Sequence, residues 1–210
     1  MKNAVIILAF LCFIETVSAN VGSDTIIVIG TQQWMAKNLD VSFYRNGDPI
    51  PQVADPTAWA NLTTGAWCYY NNDSTQGNKY GKLYNWYAIN DPRGLAPTGW
   101  HIPSDAEWST MEKSLGGSSV AGGKMKEAGT LHWATPNTEG SNTSNWVGLP
   151  GGCRNVNGFF SNVKEAGWWW SSSESNSSLA VCRIMSFNVA SIAKSYAYKY
   201  YGYSVRCLKD

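Results

Sequence analysis

An α+β fold is what this chain predicts. Three observations carry that reading. The chain opens on a β-branched run turned by a glycine. Its middle holds a helix start with reciprocal capping residues. Its last third breaks into short apolar bursts separated by Gly, Pro and Ser clusters, a pattern that suits brief strands and forbids long helices.

The elements follow in order. Residues 25–29 (TIIVI) and 34–39 (WMAKNL) flank a Gly30 turn and predict a hairpin. Residues 40–66 are rich in Asn, Asp, Pro and Thr and read as a long loop. Trp67-Cys68-Tyr69-Tyr70 is a compact aromatic strand, and 71–79 (NNDSTQGNK) an exposed turn region. Residues 84–89 (YNWYAI) place apolar side chains at helical spacing, stopped by Asp91-Pro92-Arg93-Gly94. Ser104-Asp105-Ala106-Glu107 predicts a second helix through a capping box, with Asp105 and Glu107 at the positive helix end. Trp108, Met111 and Leu115 share one of its faces before Gly116-Gly117 ends it. The acidic pair therefore serves the backbone rather than catalysis. Residues 122–133 form a connector with a helical turn at most, and 135–145 a polar loop. Strands are expected near 146–149, 158–161, 168–173, 179–187, 190–197 and 201–207. Tyr196, Tyr198 and Tyr200 alternate onto one face of the region they share.

Ahead of the hairpin the sequence predicts a removable leader. Lys2 supplies a positive start, residues 4–13 (AVIILAFLCF) are apolar but too short to span a bilayer, and Val17-Ser18-Ala19 offers a small-residue cleavage site. Cys12 follows a bulky Leu11, which disfavours a lipid anchor there. Cleavage after Ala19 leaves residues 20–210, with no transmembrane segment, as an exported protein that is secreted or held at the cell surface. The net charge is +1 and charged residues are only 15% of the chain, against about 25% in ordinary domains. No basic run occurs, so nucleic acid is not an expected partner. Four cysteines remain after the leader: Cys68, Cys153, Cys182 and Cys207. An even number in an exported chain predicts two disulfides, with three pairings open. A Cys68–Cys207 bridge would close a long loop and stabilise by about 4–5 kcal/mol in the chain-entropy description.

A family resemblance rests on several motifs in order. Residues 29–39 (IGTQQWMAKNL), 80–88 (YGKLYNWYA) and 96–108 (APTGWHIPSDAEW) carry it first. Residues 148–152 (GLPGG), 169–172 (WWSS) and 204–207 (SVRC) complete it. Together, over about residues 25–209, they resemble the Fibrobacter succinogenes major paralogous domain. The resemblance implies exported or surface proteins and a C-type-lectin-like fold shared with formylglycine-generating enzymes, which makes 20–210 a single lectin-like domain. In that fold the first and last strands lie side by side, which implies Cys68–Cys207. Cys153 stands where the family more often has Tyr, and its partner would then be Cys182.

Three classes of function are weighed. A formylglycine-generating-type oxidase holds copper on two thiolates close in sequence, and no such pair exists here. A three-His iron site fails because His101 and His132 are the only histidines. His101, between Trp100 and Ile102 just before the helix cap, reads as a packed structural residue. No Gly-x-Ser-x-Gly, His-Glu-x-x-His or Walker pattern appears, so neither catalysis nor a cofactor or metal is expected. Binding or adhesion fits better, with a glycan or a surface protein as partner. In lectin-like folds ligands meet the long-loop region, here about 142–176. It offers Arg154, Asn155, Asn157, Lys164, Glu174 and Asn176, with Trp168 and Trp170 on one side of their strand and Trp169 on the other. The Glu-Pro-Asn and Trp-Asn-Asp motifs of calcium-dependent lectins are absent. The third class is a structural subunit or adhesive module at the cell surface, open to self-association, because the Tyr-rich final strand and the polar, weakly charged surface suit protein–protein packing. Sequons at Asn61, Asn72, Asn142 and Asn176 mark exposed loops.

Overall fold

The computed structural model describes residues 26–210. The expected leader and its cleavage site lie outside them. The architecture is α+β, mostly strands with short helices. Strands β1 (Ile26–Ile29) and β2 (Gln32–Met35) form the opening hairpin, with Ile29 opposite Gln32 and Gly30 at φ 60°. This hairpin does not stand alone. Strand β11 (Leu208–Lys209) pairs with β2 through Leu208 and Trp34, and with β5 (Trp100–His101) on its other side. The start and end of the described chain therefore lie side by side, in a sheet ordered β1-β2-β11-β5. A small pair, β3 (Trp67–Cys68) and β4 (Leu83–Tyr84), stands apart.

The main sheet has five strands ordered β10-β9-β8-β6-β7. They are β6 (Gly151–Arg154), β7 (Phe160–Val163), β8 (Ala166–Glu174), β9 (Leu179–Ser186) and β10 (Ile192–Tyr198). Gly167 lets β8 approach its neighbours: a Cβ there would lie 2.4 Å from the Trp169 ring and 2.7 Å from the Leu149 carbonyl. Helix α4 (Asp105–Ser114) carries the capping box as expected, Ser104 and Glu107 bonding reciprocally. It docks on the sheet through buried Arg183, which reaches Asp105 at 2.9 Å and Glu112 at 2.5 Å. Two large apolar clusters form the core. One gathers Trp170, Tyr84, Trp86 and Tyr203; the other gathers Trp34, Trp108, Trp133, Trp146 and Trp169. In the second, successive indoles sit 5.1, 5.8 and 5.0 Å apart from Trp34 through Trp108 and Trp146 to Trp169.

Several expectations need correction. Two helices were expected, and α3 (Trp86–Ile89) and α4 answer to them, but three more form. Asp55 caps α1 (Pro56–Ala60), whose Pro56 fits a first helical position. Asp73 caps α2 (Ser74–Tyr80), which is polar and lacks a legible apolar stripe. Helix α5 (Ser118–Met125) absorbs two glycines because Gly122 packs on the Ser191 carbonyl and Gly123 on Glu139, contacts a side chain would block. Residues 146–149 and 201–207 are not ladders. They make single bridges: Lys126 with Gly148, Arg154 with Gly202, Tyr84 with Tyr203 and Trp169 with Ser204. The disulfide staples are also absent: no disulfide forms among the described residues. Cys68 belongs to a third small cluster with Trp59 and Leu83, whereas Cys207 belongs to the first large one. Cys153 and Cys182 share a cluster, but the Cys153 sulfur meets Ser161 Oγ at 3.3 Å instead. No helix among the described residues is long and apolar enough to cross a membrane.

Candidate functional site

The residues expected to bind do not converge. They divide among three places along β8 and its neighbours. On the β6 flank, Arg154 is wholly buried. Its guanidinium lies between the rings of Trp59 and Phe160 and donates to the carbonyls of Val53, Ala54 and Gly158, so it ties the loop before α1 to β6. Asn155 folds the β6–β7 turn by accepting the amides of Asn157 and Phe159, and Asn157 sits exposed at that tip. Beyond the C-terminal end of β8, which points the same way as parallel β6, Asn176 builds the β8–β9 turn by accepting the amides of Ser178 and Leu179. Glu174 is 51% exposed and pairs with the buried Lys199 ammonium, which also lies over the Trp86 ring. Six residue steps along the strand separate Glu174 from Trp168, about 20 Å. Lys164 is exposed and follows β7.

The tryptophan run obeys the expected alternation. Trp169 faces the cluster beneath α4 and donates to Asn38 Oδ1 at 2.9 Å; Trp170 faces the other cluster and donates to the Tyr84 carbonyl at 2.8 Å. Both are fully buried. Trp168 shares the Trp170 side but is only half-buried, because α3 covers the part of β8 beyond it. Its ring stacks on Tyr203 at 6.0 Å with planes 17° apart, and Tyr203 in turn meets Tyr201 at 5.4 Å.

Register assembles a surface around Trp168. Ile184 stands opposite it on β9, and Ala193 opposite Ile184 on β10. On the other flank Gly152 pairs with Gly167, so Cys153 lies one residue on, beside Trp168, and Ser161 stands opposite Cys153. A row of Ser161, Cys153, Trp168, Ile184 and Ala193 thus crosses five strands on one side of the sheet, bordered by half-buried Tyr201. Burial, with Cys153 nearby, raises the Tyr201 hydroxyl's pKa; burial raises Cys153 too, against its Ser161 bond. Burial pushes Cys182 and Cys68 up to about 12. These thiols stay protonated at neutral pH and are poor nucleophiles. The surface can stack a flat apolar face and offer hydroxyls; it holds no acid–base pair. Tyr201, Tyr203, Ser161 and Ile184 escaped the sequence reading. The period-two Tyr run pointed only to the strand, whereas the chain turns after Tyr198 and brings Tyr201 back across it.

Elsewhere, His101 bridges Glu107 at 3.0 Å and Asp210 at 2.8 Å, and His132 meets Glu127. Among the described residues no group of three or more His, Cys, Asp or Glu converges as a cation site. A shallow depression of about 410 Å³ lined by Thr31, Gln32, Gln33 and Leu208–Asp210 carries no aromatic side chain.

Residues 27–209 match the Fibrobacter succinogenes major domain (Fib_succ_major). The chain belongs to that family. The match covers nearly every described residue, including the capping box of α4 and the Ser204–Cys207 segment that closes on the hairpin. No curated protein and no solved structure matches the chain.

Proposed function

We propose that this family member is an exported, non-catalytic binding module on a C-type-lectin-like frame, which takes a carbohydrate against Trp168. The observation that carries this reading is the half-buried indole of Trp168, backed rigidly by Tyr203 and bordered by Tyr201 and Ser161. Sugar recognition needs an aromatic face for the apolar side of a pyranose and hydroxyls at its rim. Because Tyr203 and the strand fix the ring, little side-chain entropy is lost on binding.

The test is retention on a panel of insoluble polysaccharides and a glycan array. Native protein should be retained by at least one polymer. Trp168→Ala should lose tenfold or more, about 1.4 kcal/mol, while Trp168→Phe keeps part of the binding. Thermal melts of both variants confirm folding. A folded native chain that no glycan retains would sink the reading.

A further inference from the structure

The main sheet ends on two edges, and they are not alike. The β7 edge is four residues long and is interrupted by left-handed backbone at Asn162 (φ 61°) and just beyond it at Lys164 (φ 70°). The outer strands of the smaller sheet, β1 and β5, span four and two residues. Such brevity and irregularity are how proteins blunt an edge. Strand β10 has none of these protections. All seven of its residues, Ile192 to Tyr198, pair in unbroken register with β9. It holds no proline and no bulge. Its one charge, Lys194, is partly neutralised by Asp105 at 2.6 Å. Tyr196 and Tyr198 are 55% and 46% exposed along it, and Tyr198 is stiffened by a near-parallel Tyr200 ring at 5.3 Å.

We infer that β10 pairs antiparallel with β10 of a second copy of this chain, about a two-fold axis at Tyr196. The side-chain order selects the copy as the occupant. With Tyr196 opposite its own image, Lys194 of each chain falls opposite Tyr198 of the other. That is a cation–aromatic complement, and the Lys194 ammonium already sits 5.7 Å from the Tyr196 ring centroid within one chain. On the opposite side Ser195 meets Ala197, both small enough to let the backbones close. The pairing is self-complementary, as a two-fold interface requires. It also turns two five-stranded sheets into one of ten strands. An axis normal to the sheet keeps like faces together, so both Trp168 surfaces look the same way. Five strand spacings separate one β8 from the other, about 24 Å. Where the carbohydrate reading holds, a single extended polymer could engage both surfaces at once, with avidity as the gain.

Sedimentation equilibrium without any sugar tests the pairing directly, apart from the binding reading. The native protein at about 50 μM should show twice the chain mass, and Tyr196→Glu, which sets two carboxylates face to face at the axis, should show the single-chain mass with an unchanged melt. Tyr196→Cys supplies the second arm. Its cross-axis Cβ distance of about 5 Å allows an intermolecular disulfide on mild oxidation, while Ala193→Cys, off the axis, should cross-link far less. A native protein that is monomeric throughout, a larger assembly indifferent to Tyr196→Glu, or β10 captured by an unrelated extended peptide while the chain stays single would each overturn the proposal.

Discussion

Three arginines that look like surface residues in the sequence are among the most buried side chains. Arg206 is the clearest. It donates to the carbonyls of Met35, Ala36 and Trp146 and to Asn38 Oδ1, with its guanidinium 4.0 Å from the Trp146 ring centroid. Replacing it by Met would take the guanidinium donor from the buried Met35, Ala36 and Trp146 carbonyls and leave Asn38 Oδ1 to Trp169 alone, at about 3 kcal/mol or more; a fall in the urea midpoint at unchanged slope would register it. His101 makes the second residue-level prediction. Burial pulls its pKa down, but the hydrogen bonds it donates to Asp210 and Glu107 and their charges outweigh that and leave it raised. Its contribution is therefore full below the ordinary value near 6.5 and disappears as pH climbs through the raised one. Melts of native protein and His101→Gln should converge as pH increases across that window. Parallel curves would show that the bridge contributes nothing.

At the scale of elements, what was legible is what is local. The α4 capping box could be read because its partners stand three residues apart, and Ser104→Ala should cost about 1 kcal/mol, read as a lower melting temperature without loss of sheet signal. The alternation of Trp168, Trp169 and Trp170 followed from strand geometry alone. Which of them stays open did not, because the cover comes from α3 and Tyr203, placed by long-range contacts. Helices α1 and α2 were illegible for another reason: α1 is too short at five residues to show a period and α2 is polar over seven, which leaves only the Asp caps. Segments 146–149 and 201–207 looked like strands because they are rich in apolar, β-branched and aromatic residues. Their backbones instead make scattered single bridges.

For the molecule as a whole, the cysteine count was the misleading signal. An even number in an exported chain suggested staples, yet the sulfurs are shared among separate parts of the core. The fold is held by its tryptophan clusters and buried arginines, so reducing agent should leave the melting temperature where it is. A fall of several degrees would mean that a cross-link carries stability. Candidate ligand contacts were half legible: Trp168 was, the tyrosines framing it were not, and Arg154 turned out to be a girder.

The place of β11 has a consequence for how such a chain comes to be folded. Leu208 fills the gap between Trp34 and His101, and Arg206 reaches back 171 residues to Met35. The opening hairpin has no flank to rest on until this distant segment arrives. A nascent chain emerging N-terminus first must hold its earliest strands in waiting, and closure of the first sheet comes as one late, long-loop event. A polypeptide that stays open until its far end appears is one that can be threaded through a narrow pore before it sets.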